Sequence, residues 1–116
     1  MARSRIPKKI RAVVKGYGER LTQKNKLSID RLIIFGSYAK GAAHRQSDVD
    51  VCVISPQFND PLEAIRLLLH KRNNDEVRAG IEPVGFTLKN FKEGGSLINE
   101  IKRTGVEIRL GHAVSR

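Results

Sequence analysis

A single cysteine, Cys52, stands in the 116-residue chain. No disulfide can form within it, so packing alone must hold the fold, and a reducing cytoplasm is the expected location. Tryptophan is absent and aromatic residues make up only 5%. The chain therefore lacks the interleaving of aromatic and basic residues that stacks single-stranded nucleic acid. Long apolar runs are missing too: none approaches the ~20 residues that cross a bilayer. The basic N-terminus has no apolar core of the secretory kind, and no membrane association is expected. Acidic residues are scarce, 12 against 22 Lys and Arg, for a net charge of +10.

That positive excess is uneven. Residues 1–26 hold nine Lys/Arg and one Glu, or +8, while residues 27–116 hold thirteen and eleven, or +2. In the first segment Ile6, Ile10, Val13, Tyr17 and Leu21 recur at helical spacing and predict a core-facing stripe. Lys8, Arg11, Lys15 and Lys26 fall on roughly the other side, and Gly16 and Gly18 predict a weak point near Tyr17. A solvated face, an acidic protein partner and nucleic-acid phosphates all suit such a surface. The length suits one domain over 1–116, with the basic helical segment 1–26 as part of it.

Two features carry chemistry. Residues 29–35 form a β-branched, aromatic strand that ends at Gly36, where a missing Cβ permits unusual backbone angles and close approach of a ligand. Ser37 follows with a hydroxyl, at the start of a short helix or turn whose amides favour an anion. Then residues 48–54 alternate, placing Asp48 and Asp50 on one strand face and Val49, Val51 and Val53 on the other. The valines are core. The aspartates repel each other, and a hard cation such as Mg²⁺, held by carboxylates and substrate phosphates, would relieve that repulsion.

The run G-S-Y-A-K-G-A-A-H-R-Q-S-D-V-D resembles the signature of the DNA polymerase beta-like nucleotidyltransferase superfamily, and within it the minimal nucleotidyltransferase (MNT) proteins. The resemblance implies the mixed sheet of the polymerase beta-like palm. It implies that Gly36 and Ser37 hold a triphosphate, with Ser47 at the family's spacing, and that Asp48 and Asp50 bind two Mg²⁺ ions. The reaction would be attack of an acceptor on the α-phosphate of a nucleoside triphosphate, with release of pyrophosphate. A third carboxylate commonly comes from a later strand, and Glu82 in I-E-P-V-G-F-T is the candidate, for the metal shell or for the acceptor's proton. Pro83 predicts an edge position for that strand. Lys40 would steady triphosphate oxygens; Arg45 is a weaker candidate.

The remaining segments complete an α/β (α+β) chain with a mixed sheet of about four strands. Asp60-Pro61-Leu62-Glu63 predicts a helix over 61–72 with Leu62, Ile65, Leu68 and Leu69 buried. Asn73-Asn74-Asp75 reads as a loop, which sets Asp75 and Glu76 aside as site residues. Thr87 and Ser96 predict caps of two short helices broken at Gly94-Gly95, and 106–110 a last strand. His44, His70 and His112 have no partner at metal-ligand spacing. Cys52 shares the parity of Asp48 and Asp50 and reads as a small buried hydrophobe.

The expectation is thus a Mg²⁺-dependent nucleotidyltransferase of the cytoplasm, with ATP or another nucleoside triphosphate as donor. MNT proteins paired with a HEPN-family toxin suggest a hydroxyl on a partner protein as acceptor. A partner protein or a homo-oligomer is expected to complete the acceptor site. The alternatives are a non-catalytic antitoxin-like binding module and a basic nucleic-acid-binding adaptor.

Overall fold

The two apolar runs that flank the Gly36 turn pair with each other. In the computed structural model, which describes residues 6–44 and 46–111, they are β1 (Arg31–Phe35) and β2 (Val49–Ile54). The strands are antiparallel, with Arg31 opposite Ile54 and Phe35 opposite Asp50. On the other side of β2 lies β3 (Ile81–Phe86), in parallel, with Asp50 opposite Glu82. The short β4 (Val106–Glu107) joins β1 antiparallel, and the sheet order is β3-β2-β1-β4. The parallel pair demands a crossover, and α3 (Pro61–His70) and α4 (Asn74–Ala79) supply it. Arg45, His112 and the first five residues of the basic segment lie outside the described residues.

Strand alternation divides the core in two. Val49, Val51 and Val53 share one face with Leu32, Ile34 and Ile81, covered by Val14, Tyr17 and Leu21 of α1 (Lys8–Gln23) and by Ala64 and Leu68 of α3. The other face carries Ile33, Phe35, Cys52 and Ile54. It is covered by Phe91 of α5 (Leu88–Glu93) and by Ile98 and Ile101 of α6 (Ser96–Thr104). Each such side chain removed from water contributes about 1.5–3 kcal/mol. With Pro83 on β3, the strand is at the edge the sequence predicts.

Several local expectations change. The helix α1 runs unbroken through Gly16 and Gly18. A Cβ on Gly18 would lie 2.7 Å from the Leu32 side chain, so this glycine serves close helix–sheet contact rather than a break. Lys26 lies past the helix end. The α3 helix stops at His70, short of residue 72, and its buried stripe is Ala64 and Leu68, while Leu62 and Leu69 are exposed. The cause is Gly85 beneath it: a Cβ there would come 2.8 Å from Ala64 Cβ, so the small residue faces the strand. Only Val106 and Glu107 of the run 106–110 form β4, although Ile108 N–H still donates to Leu32 O at 2.8 Å. Ser96 is the first residue of α6, and Gly95 takes the cap position.

Asn73-Asn74-Asp75 opens a helix instead of a loop. Asn73 Oδ1 accepts from Glu76 N–H, and Glu76 Oε1 accepts from Asn73 N–H, a reciprocal capping box. Glu76 then does a second job. Its carboxylate, 3% exposed, receives two donors of the Arg20 guanidinium at 2.5 and 2.6 Å, while Arg20 also donates to Lys71 O at 2.7 Å. One turn earlier on α1, Tyr17 donates its hydroxyl to Leu68 O at 2.6 Å. The first helix is thereby tied to both crossover helices.

Replacing Arg20 by Met leaves the Glu76 carboxylate buried without its partner. We expect a stability loss of about 3 kcal/mol in urea denaturation, toward the lower end for a broken buried pair because Arg20 is partly exposed. Lys at position 20 should restore only part of it, since an ammonium cannot make the fork.

Candidate functional site

The chain leaves β1 at Phe35 and turns at Gly36 with φ +76° and ψ −150°, a conformation that other residues rarely adopt. Space makes the same demand. A Cβ on Gly36 would collide with the carboxylate of Asp50, opposite on β2. The absent side chain thus lets a carboxylate rest against the main chain of the turn. The short helix α2 (Ser37–Lys40) follows at once, with Lys40 N–H donating to Gly36 O at 3.1 Å. Ala42 N–H closes onto Ser37 O at 2.9 Å.

The loop into β2 is shaped by its own polar groups. Ser47 Oγ accepts from His44 N–H at 2.8 Å, and Ser47 N–H donates to His44 O at 2.9 Å. His44 Nδ1 accepts from Gln46 N–H at 3.3 Å. Ser47 and His44 therefore set the loop that delivers Asp48, and His70 is exposed at the end of α3. Val49 N–H donates to Gly80 O at 2.8 Å, which fixes the start of β2 against the end of the crossover.

Three carboxylates gather on one sheet face. Asp48 precedes the strand with the parity of Asp50, and Glu82 is in register beside Asp50. Asp50 is half-buried; Asp48 and Glu82 are exposed. Burial, first, and then the charges of Glu82, Asp48 and Glu100 push the Asp50 carboxyl above its ordinary value. Lys40, the last residue of α2, pairs with Glu100 of α6 at 2.8 Å, and that contact holds the Glu100 carboxyl below its ordinary value. Glu100 is the site neighbour that sequence reasoning missed. No local pattern marks it, because only the packing of α6 brings it to the motif loop. Beneath Asp50, burial pushes the Cys52 thiol up to about 12, which leaves it an inert core residue.

The donor set is all oxygen, which suits a hard cation such as Mg²⁺. The unfavourable ionisation of Asp50 is the kind of strain that a bound cation relieves. Among the described residues no three His, Cys, Asp or Glu side chains converge tightly enough to enclose an ion.

A family model described as "Nucleotidyltransferase domain" matches residues 14–107, which include the turn, the three carboxylates and Glu100. A Methanocaldococcus jannaschii protein, named as a candidate protein adenylyltransferase, is 29% identical over 97 residues, covering 83% of this chain and 95% of that protein. A candidate nucleotidyltransferase from Sulfolobus solfataricus superposes with a TM-score of 0.61 at 12% identity, covering 85% of this chain and 78% of that one. A toxin–antitoxin structure with AMP-PNP superposes with a TM-score of 0.58 at 20% identity, covering 83% and 73%. At these identities the solved structures speak for the fold, a mixed four-stranded sheet with helices.

The raised Asp50 carboxyl makes a signed prediction. Ionising it costs more in the folded chain than in the unfolded one, so its penalty is absent below the ordinary Asp range and grows as pH rises through and above it. Asp50→Asn should therefore melt higher than the parent at pH 7, with the gain shrinking toward pH 3. Millimolar Mg²⁺ should raise the parent's melting temperature and leave the variant's nearly unchanged, as thermal denaturation followed by circular dichroism would show.

Proposed function

The chain belongs to the nucleotidyltransferase domain family, and from that premise we propose that it transfers AMP from ATP to a hydroxyl group on a partner protein, with Mg²⁺ as cofactor. The observation that carries this reading is the contact between Gly36 and Asp50. It puts a phosphate-sized turn and a cation-seeking carboxylate side by side. The M. jannaschii relative, named for adenylyl transfer to protein, supports the choice of donor and acceptor. The toxin–antitoxin neighbour with AMP-PNP supports a protein partner, and a HEPN-type toxin fits that role.

In this reading the main-chain amides after Gly36 and the Ser37 hydroxyl hold the triphosphate, aided by Lys40. Asp48 and Asp50 would hold the cations. Mg²⁺ ions, when bound, neutralise the phosphate oxygens and favour an ionised acceptor oxygen. The acceptor oxygen forms a bond to the α-phosphorus as the bond from that phosphorus to the bridging oxygen breaks. Pyrophosphate leaves with the electron pair, and the acceptor proton passes to Glu82 or to water. Such a transfer depends on alignment and charge neutralisation more than on covalent help from the protein. Glu82 is beside Asp50 in register and exposed, which supports a role toward an incoming acceptor. Lys40 must exchange Glu100 for a phosphate oxygen to take part.

Incubation with α-labelled ATP, Mg²⁺ and extract of the source cell should label a protein band, and Asp48→Asn and Asp50→Asn should each reduce the label to background. Glu82→Gln should slow labelling while leaving ATP binding close to that of the parent. Failure of any nucleoside triphosphate to bind in the presence of metal would sink the proposal. A non-catalytic antitoxin-like module would instead hold its partner undiminished in the doubly substituted Asp48→Asn, Asp50→Asn protein and label nothing.

A further inference from the structure

The sheet face that carries the carboxylates at one end carries a groove at the other. Arg31, Leu88, Lys89, Phe91, Lys92 and Lys102 line a cavity of about 660 Å³, a size common for ligand sites. Arg31 is opposite Ile54 whereas Phe35 is opposite Asp50. Four residues of strand, about 13 Å, thus separate the groove from the candidate nucleotide site.

The groove joins an apolar floor to a positive rim. Phe91 forms the base and is 5% exposed, while Leu88, the first residue of α5, is 51% exposed. Arg31 is neutralised by Glu107, which accepts from Nη2 at 2.7 Å and from Nε at 3.2 Å. The three lysines have no such partner: among the described residues none of Lys89, Lys92 and Lys102 forms an ion pair. Lys89 and Lys92 stand three apart on α5 and so share a side of that helix, and Lys102 projects from α6 with its ammonium 5.2 Å from the Phe91 ring centre. Fixed positive charge around an exposed leucine calls for a ligand with an apolar anchor and flanking carboxylates.

We propose that this groove docks an acidic amphipathic segment of a partner protein, with a leucine or phenylalanine seated against Leu88 and carboxylates on the three lysines. Two observations favour protein over nucleic acid. Phe91 is the groove's one aromatic residue, and it is buried with Arg31 and Lys102 already over its ring, so no ring face remains for a base. The groove's exposed apolar side chain is Leu88, which offers a phosphate nothing. Because the groove lies at the far end of the sheet, a partner held there leaves the carboxylate end open. The inference stands on the groove alone and does not require the transferase reaction.

The test uses the full chain and a fluorescein-labelled synthetic 16-residue peptide, helical, with leucine on one side and glutamate on the other. Anisotropy titrations compare four proteins. Lys89→Glu with Lys92→Glu should weaken binding about 10-fold or more by reversing the rim charge, and Leu88→Ser should weaken it several-fold at unchanged salt dependence. Lys8→Glu with Lys15→Glu, on the basic side of α1, should leave it as in the parent. All of these positions are exposed, and equal melting temperatures confirm that folding is intact. ATP binding should be the same in the groove variants and the parent, which separates this inference from the nucleotide site. The proposal is overturned if the α1 variant loses peptide as strongly as the groove variant, since attraction is then only to net charge. It is equally overturned if the peptide does not bind, or if a labelled oligouridylate depends on Lys89 and Lys92 while the peptide does not.

Discussion

The candidate site depends on one steric fact: the carboxylate of Asp50 occupies space that any side chain at position 36 would need. Gly36 has to be glycine twice over, once for its positive φ and once for this contact. The antiparallel register of β1 and β2 sets Phe35 opposite Asp50, so the turn that follows Phe35 arrives against the acidic side chain. Shift that register by one residue and the valines face the turn while the aspartates face the core. The apolar half of β2 therefore guards the polar half, because burying Val49, Val51 and Val53 holds the strand in the register that the site requires.

Two acidic groups show how the same fold treats buried charge in opposite ways. Glu76 is almost wholly buried and is satisfied by the Arg20 fork and by its own capping box. It is structural, and it anchors α1 to the crossover. Asp50 is only half-buried, yet its neighbours are Glu82, Asp48 and Glu100, and its carboxyl is raised. The nearby cation, Lys40, is engaged by Glu100 instead. Among the described residues Asp48, Asp50 and Glu82 form no ion pair; such an acidic cluster is retained at a cost to the folded state, and such a cost concentrates at functional sites.

Much of the architecture was legible from local patterns. Alternation in 48–54 identified β2 and its two faces, Pro83 announced an edge strand, and Thr87 announced a cap that closes as a reciprocal pair with Asn90. Misreadings arose where two local signals competed. Asn73-Asn74-Asp75 has the composition of a loop, but Asn73 and Glu76 have the spacing of a capping box, and the hydrogen bonds decided for the helix. In α3 the largest apolar residues were expected inside. Leu68 is inside as expected, but Gly85 admits Ala64 to the strand and Leu62 is left in solvent.

By itself the sequence determined that the chain turns at Gly36 and that Asp48 and Asp50 share a face, because a strand's period of two is a local property of the backbone. Tertiary structure alone decided what each charge meets. That Glu82 stands beside Asp50, that Glu100 holds Lys40, that Arg20 reaches Glu76 and that three lysines line a groove with Leu88 all depend on how elements distant in the chain pack on the sheet. Local periodicity places a side chain on a face, but only the closure of long loops supplies its neighbour.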